Sequence, residues 1–195
     1  MDADRDTLEI AATAARMIVE EGLEYGAAKL RAVKQLGLPA RTRLPNNDEV
    51  EDQVREYLAL FCADTQPSEL ATLRRLALDW MEKLAEFRPH LTGAVWRGTA
   101  TRLSTIHLQL FCDDSKATEI ALLNWNIDYD AGPAPAGAEH ALWLSLPCQA
   151  LSEHVPLCLA IFDFDDLRGA LKPDSRGRTE RGDLPALRRL LEVFE

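Results

Sequence analysis

Positive charge is scarce in this chain: 22 Lys and Arg stand against 32 Asp and Glu, for a net charge of −10. Such a surface repels nucleic acid as a whole and argues against binding to a duplex. Long apolar runs are missing too. None nears the roughly 18 residues that span a bilayer, so no membrane association is expected. Met1-Asp2-Ala3-Asp4 is acidic where a secretory leader is basic, which points to a cytoplasmic protein. The four cysteines (Cys62, Cys112, Cys148, Cys158) form no CxxC pair and sit in or beside apolar segments. They read as buried thiols of a reducing compartment. The four histidines (His90, His107, His140, His154) make no HExxH, His-x-His or Cys-His pattern, so no structural metal is expected. GxSxG, Walker A and GxGxxG are also absent.

The first 88 residues carry helical periodicity. Leu8, Ala11, Ala15, Ile18 and Val19 predict a helix over 7–21 that stops at Gly22. Ala27, Leu30 and Val33 predict another over 25–35, with Lys29, Arg31 and Lys34 as its exposed basic face. Asn46 and Glu49 have the spacing of a capping box, opening a helix with Val50, Val54, Tyr57, Leu58 and Phe61 inward. A fourth helix follows Asp64 or Thr65, with Pro67 in its first turn and the stripe Leu70, Leu73, Leu76, Ala77, Trp80, Met81 and Leu84. Trp80, Tyr57 and Phe61 are expected as packing anchors rather than a base-stacking platform.

Beyond residue 88 the pattern changes. Strands are predicted over 91–95 and 105–111, then a helix over 115–124 with Ala117, Ile120, Ala121 and Leu123 inward. A short strand over 126–130 and an Ala/Pro/Gly loop over 131–139 come next. Strands over 141–146 and 155–162, eight residues apart, predict a hairpin. A closing helix runs from 184 to about Phe194. The fold class read from this pattern is α+β, with a helical region (1–88) acting as cap or partner and a small mixed-sheet α/β domain (89–195).

One stretch is more specific. Within 91–110 a Gly-Ala pair (Gly93, Ala94) ends an apolar run. Arg97-Gly98-Thr99-Ala100 follows, then Ser104, then alternating Ile106, Leu108 and Leu110. This layout resembles the signature of the DNA polymerase β-like nucleotidyltransferase superfamily, particularly its small bacterial members. There Gly-Ser precedes an Arg-Gly-Thr-Ala-like turn and a Ser-Asp-Ile-Asp-Leu strand. Here Ala94 stands at the serine, and Thr105 and His107 stand at the two aspartates.

The resemblance implies a nucleotide or phosphate cradle formed by Gly93, Ala94, Arg97, Gly98, Thr99 and Ser104. In the family, carboxylates two apart on one strand hold magnesium, which clamps the triphosphate. Thr105 and His107 offer a hydroxyl and a nitrogen, poor partners for that ion, so no magnesium site or other cofactor is predicted. The family's third acid comes from a later, neighbouring strand, where this chain offers Cys158 or Ala160. Asp128, an acid between two apolar residues, is the other candidate. Asp113 and Asp114 fall about 20 Å further along the strand and do not replace the pair.

The implied protein is a degenerate member, a pseudoenzyme that binds a nucleotide or phosphorylated small molecule. One alternative is altered chemistry at the same cleft through His107, Thr105, Arg97 and Asp128. The other is an interaction module, binding a protein partner or a second copy through its helical half. Two charged features stay ambiguous. Seven basic residues against three acids over 168–189 could hold phosphate, though a polar, solvated loop is the simpler reading. Asp163, Asp165 and Asp166 resemble a metal pair but fit a helix N-cap better.

Overall fold

The computed structural model describes residues 2–174 and 176–192, with side chains from Asp4 onward. The protein is α+β: seven α-helices and one six-stranded mixed sheet are found among the described residues, with the first helices preceding any strand. The chain divides into two compact units, residues 1–67 and 68–195.

The first unit holds α1 (Asp2–Glu21), α2 (Tyr25–Gln35) and α3 (Asn47–Phe61). The first helix begins at Asp2, ahead of the expected residue 7, and ends at Gly22, whose φ of 70° suits a residue without Cβ. Its buried stripe is Ile10, Ala14 and Met17, with Ala11 and Ala15 letting neighbouring backbones close in. Fully burying Ile10 and Met17 contributes about 1.5–3 kcal/mol each. The capping box at α3 forms as the spacing predicts: Glu49 N donates to Asn46 Oδ1 at 2.8 Å, and Asn46 N donates to Glu49 Oε2 at 2.6 Å.

Three inward assignments in this unit are corrected. Leu30 and Phe61 are 64% and 69% exposed, while Ala28 and Ala32 are buried in place of Ala27. Lys29 is buried rather than on an open basic face: its Nζ donates to Asn47 Oδ1 at 2.6 Å, and burial lowers its pKa. These helices are amphipathic over wide arcs. A shift of one position in the assumed stripe therefore swaps which apolar residue faces in.

The second unit is built on the sheet, in the order β3-β4-β5-β2-β1-β6. The strands are β1 (His90–Thr92), β2 (Ile106–Cys112), β3 (Asp130–Gly132), β4 (His140–Cys148), β5 (Glu153–Asp163) and β6 (Arg181–Gly182). Among the described residues only β2 and β5 pair in parallel; β4 and β5 form the expected antiparallel hairpin. Central β5 reads as a continuous apolar run because both of its faces are covered. One sheet face (Leu91, Ile106, Leu108, Leu110, Leu157, Leu159, Ile161) packs against α4 (Gln66–Lys83), α6 (Ala117–Asn124) and α7 (Leu184–Glu192). The sequence pattern groups α4 with the helices before it, up to residue 88. In the structure its stripe of Leu70, Leu73, Ala77, Met81 and Leu84 shares the core of the sheet.

Other expectations shift locally. In α6, Thr118 and Leu122 are buried, whereas Ile120 and Leu123 are 53% and 61% exposed. Residues 126–129 lie outside the expected short strand, and the strand begins at Asp130, taking Ala131 and Gly132 from the predicted loop. The end of α7 near Phe194 lies outside the described residues. No helix among them is long and apolar enough to cross a membrane. All four cysteines are thiols, and three are buried.

Candidate functional site

The Gly-Ala turn is shorter and more sharply bent than the sequence suggests. The strand expected through Val95 ends at Thr92, and α5 (Gly93–Arg97) winds immediately after it. The cause is Gly93, at φ 74°, which turns the chain out of the extended region. Gly98, at φ 88°, ends the helix, with its N–H and that of Thr99 donating to Ala94 O at 2.9 and 3.0 Å. Five residues cannot hold a helix by themselves. Arg74 of α4 supplies what is missing. Its guanidinium donates from Nε to Val95 O and from Nη2 to Trp96 O, both at 3.0 Å, satisfying carbonyls at the helix C-terminus. Arg74 is 5% exposed, and burial lowers its pKa.

The loop at 99–105 carries the rest of the expected cradle. Thr99 is 3% exposed, and its Oγ1 finds no hydrogen-bond partner among the described residues. Ser104 Oγ accepts from Thr101 N at 2.9 Å within the local turn. Ala94 and Arg97 are half-buried on α5. Thr105 is half-buried just before β2 and, by alternation, shares a face with His107.

His107 is the centre of the arrangement. On β2 it sits opposite Thr92 of β1 and Cys158 of β5. Its ring packs against the Gly93 turn so closely that a Cβ on Gly93 would lie 3.4 Å from its Cδ2. On the far side Trp143 meets it edge-on, with ring centroids 6.2 Å apart. Trp143 is seated over Gly132, where a Cβ would come within 2.5 Å of its Cδ1. Gly93, His107, Cys158 and Trp143 thus form one continuous strip across the sheet face opposite the main core.

No protein family, curated protein or solved structure matches this chain.

The other sequence candidates lie elsewhere. Asp128 is exposed ahead of β3, with β4 and β5 between that strand and β2. Asp163 caps a 3-10 turn (Phe164–Leu167), accepting from Asp165 N at 2.8 Å. The residues at the strip do not suit magnesium: Thr105, His107 and Cys158 bring no carboxylate together. Among the described residues no group of three His, Cys, Asp or Glu is placed to hold a metal ion.

Part of the basic 168–189 segment is engaged within the protein. Arg178 pairs with Asp174 at 3.1 Å, Arg188 with Glu82 at 2.7 Å, and Arg181 donates to Gln109 Oε1 at 2.6 Å. Residues 179–182 strap across the candidate turn. Thr92 Oγ1 donates to Glu180 O at 2.9 Å, and Trp96 Nε1 donates to Thr179 O at 2.8 Å. Gly182 leaves room for the Trp96 ring, which a Cβ would meet at 2.2 Å. Arg74 and this strap were illegible in sequence, because both act through contacts with residues at least 20 positions away.

Proposed function

We propose that this protein has a nucleotidyltransferase-like fold without the metal chemistry, and that it binds a nucleotide or phosphorylated small molecule at the Gly93–Gly98 turn. The observation that carries this reading is the strip itself. The left-handed glycine opens a short helix directly against His107, and Cys158 stands opposite on a parallel neighbour. Those are the positions at which the resemblance expects the glycine turn, one strand acid and the third acid. The half-buried Arg97 supplies donors suited to phosphate oxygens. With Asp128 on the far side of β4 and β5, altered catalysis through that acid finds no support.

A thermal-shift screen tests the proposal. Nucleoside triphosphates are each added with magnesium, manganese or chelator. A rise in melting temperature that persists in chelator and is lost in Arg97→Gln supports binding without a metal. A flat response across the panel sinks it.

A second reading, self-association through the helical unit, draws on Leu8, Leu30, Leu60 and Phe61, each more than half exposed. Light scattering on the intact chain and on Leu60→Glu decides it. A monomer in both cases removes that reading.

A further inference from the structure

A pocket of about 740 Å³ opens where residues 88–90 face the 167–173 turn and the start of α7. It lies at the opposite end of β1 from Gly93 and is lined by Leu167, Ala170, Leu184 and Pro185 among others. Its size falls in the range of small-molecule sites, about 300–1,000 Å³. Most of its wall is apolar, which makes its few polar groups informative.

The deepest of these is His90, which is 6% exposed. It lies on the same sheet face as Gln109 and Phe111, edge-on to the Phe111 ring at 5.2 Å. Leu167 and Ala170 pack onto Phe111 and Phe162 from that side. His90 Nδ1 lies 2.9 Å from the carbonyl oxygen of Arg88. A carbonyl can only accept, so Nδ1 must carry the proton. Burial lowers the imidazole pKa and keeps the ring neutral, leaving a lone pair on Nε2. No hydrogen bond reaches Nε2 from the described residues. Nε2 is not sealed in the interior, so its lone pair opens to the pocket and can accept from a donor placed there.

The mouth carries the opposite polarity. Lys172 is exposed and makes no ion pair among the described residues. The turn at Gly169 (φ 80°) draws its stem in, so that a Cβ there would lie 3.3 Å from Lys172 Cδ and Cε. Arg88 stacks its guanidinium 4.4 Å over the Phe164 ring and adds a second positive charge. The one lining acid, Asp183, sits at the start of α7 and accepts from Ala186 N at 3.0 Å, leaving two lining cations against one anion. From inside to outside the pocket therefore presents an acceptor, an apolar wall and a cation.

We infer that this pocket binds a small aromatic acid bearing a hydroxyl or N–H group. The donor would meet His90 Nε2, the ring would lie on the Leu167–Ala170 wall, and the carboxylate would face Lys172. The site is separate from the Gly93 turn and stands whether or not that turn binds phosphate.

Three matched probes test it: hydroxynaphthoate, naphthoate without the hydroxyl, and naphthol without the acid. Binding to the full chain is followed by NMR of the histidine ring nitrogens. Hydroxynaphthoate is expected to move His90 Nε2 and not His107. Loss of the hydroxyl or of the carboxylate should weaken binding by roughly tenfold, equivalent to about 1.4 kcal/mol. Lys172→Ala should weaken both acids and leave naphthol unchanged. Because Lys172 is exposed, this variant keeps the fold and isolates the carboxylate contact. Absence of binding, equal binding of all three probes, or a response at His107 instead of His90 would overturn the inference.

Discussion

Arg74→Met is the perturbation that most sharply tests how the candidate turn is held. The substitution keeps much of the apolar stem and removes the two guanidinium hydrogen bonds, each 3.0 Å long, to Val95 O and Trp96 O. Hydrogen bonds from a charged donor contribute about 1.5–3 kcal/mol each, offset here by relief from burying the charge. The net loss should be about 3 kcal/mol. For a unit of this size that lowers the melting temperature by roughly 10 °C. All four tryptophans (Trp80, Trp96, Trp125, Trp143) lie in the second unit, so fluorescence-detected urea unfolding reports on it selectively. The neighbouring, exposed Arg75 gives the control, since Arg75→Met should change stability by no more than about 0.5 kcal/mol. If Arg74→Met costs under 1 kcal/mol, or no more than the control, Arg74 does not hold the turn.

Three further outcomes follow from the same geometry. Gly182→Ala should destabilise the second unit by about 2–4 kcal/mol, because the new methyl meets the Trp96 ring at 2.2 Å; urea unfolding measures it, and a cost below 1 kcal/mol would mean that the strap yields easily. Gly93→Ala should cost about 1–3 kcal/mol, as a left-handed φ of 74° strains any residue with a Cβ; an unchanged urea midpoint would count against the turn. His90 has its pKa lowered chiefly by burial, with Arg181 also lowering it and the Arg88 carbonyl and Asp183 raising it. The unfolded chain therefore takes up the proton first as pH falls, so stability should be full above the ordinary value of 6.5 and decline below it. His90→Phe should flatten that decline in unfolding measured between neutral and mildly acidic pH, and an unaltered slope would remove His90 as its source.

The parts of the structure legible in sequence were those governed by local chemistry. The Asn46/Glu49 capping box needs only a spacing of three, and the β4–β5 hairpin needs only two alternating apolar runs. The α+β class followed from the change in period near residue 90. What could not be read depends on partners far along the chain. Leu30, Phe61, Ile120 and Leu123 obey helical spacing yet face outward, because the choice among apolar arcs is made by the neighbouring helices and sheet. The second half of the expected 91–95 strand is turned off by Gly93, and it holds as α5 because Arg74, some twenty residues earlier, satisfies carbonyls that a helix so short leaves open. Ser104 Oγ accepts from Thr101 N in its own turn, a loop contact that the apolar pattern does not encode. His90 carried no signal in the sequence beyond its side chain, because its tautomer follows from a carbonyl contact and its pocket from the 167–173 turn.

The most direct measurement is titration calorimetry of ATP into the intact protein, run once with magnesium and once with chelator. A site that holds phosphate through backbone and side-chain donors alone predicts binding in chelator within about twofold of that in magnesium, with the nucleotide recovered unchanged. Heat of binding only in magnesium, or none in either, would contradict it.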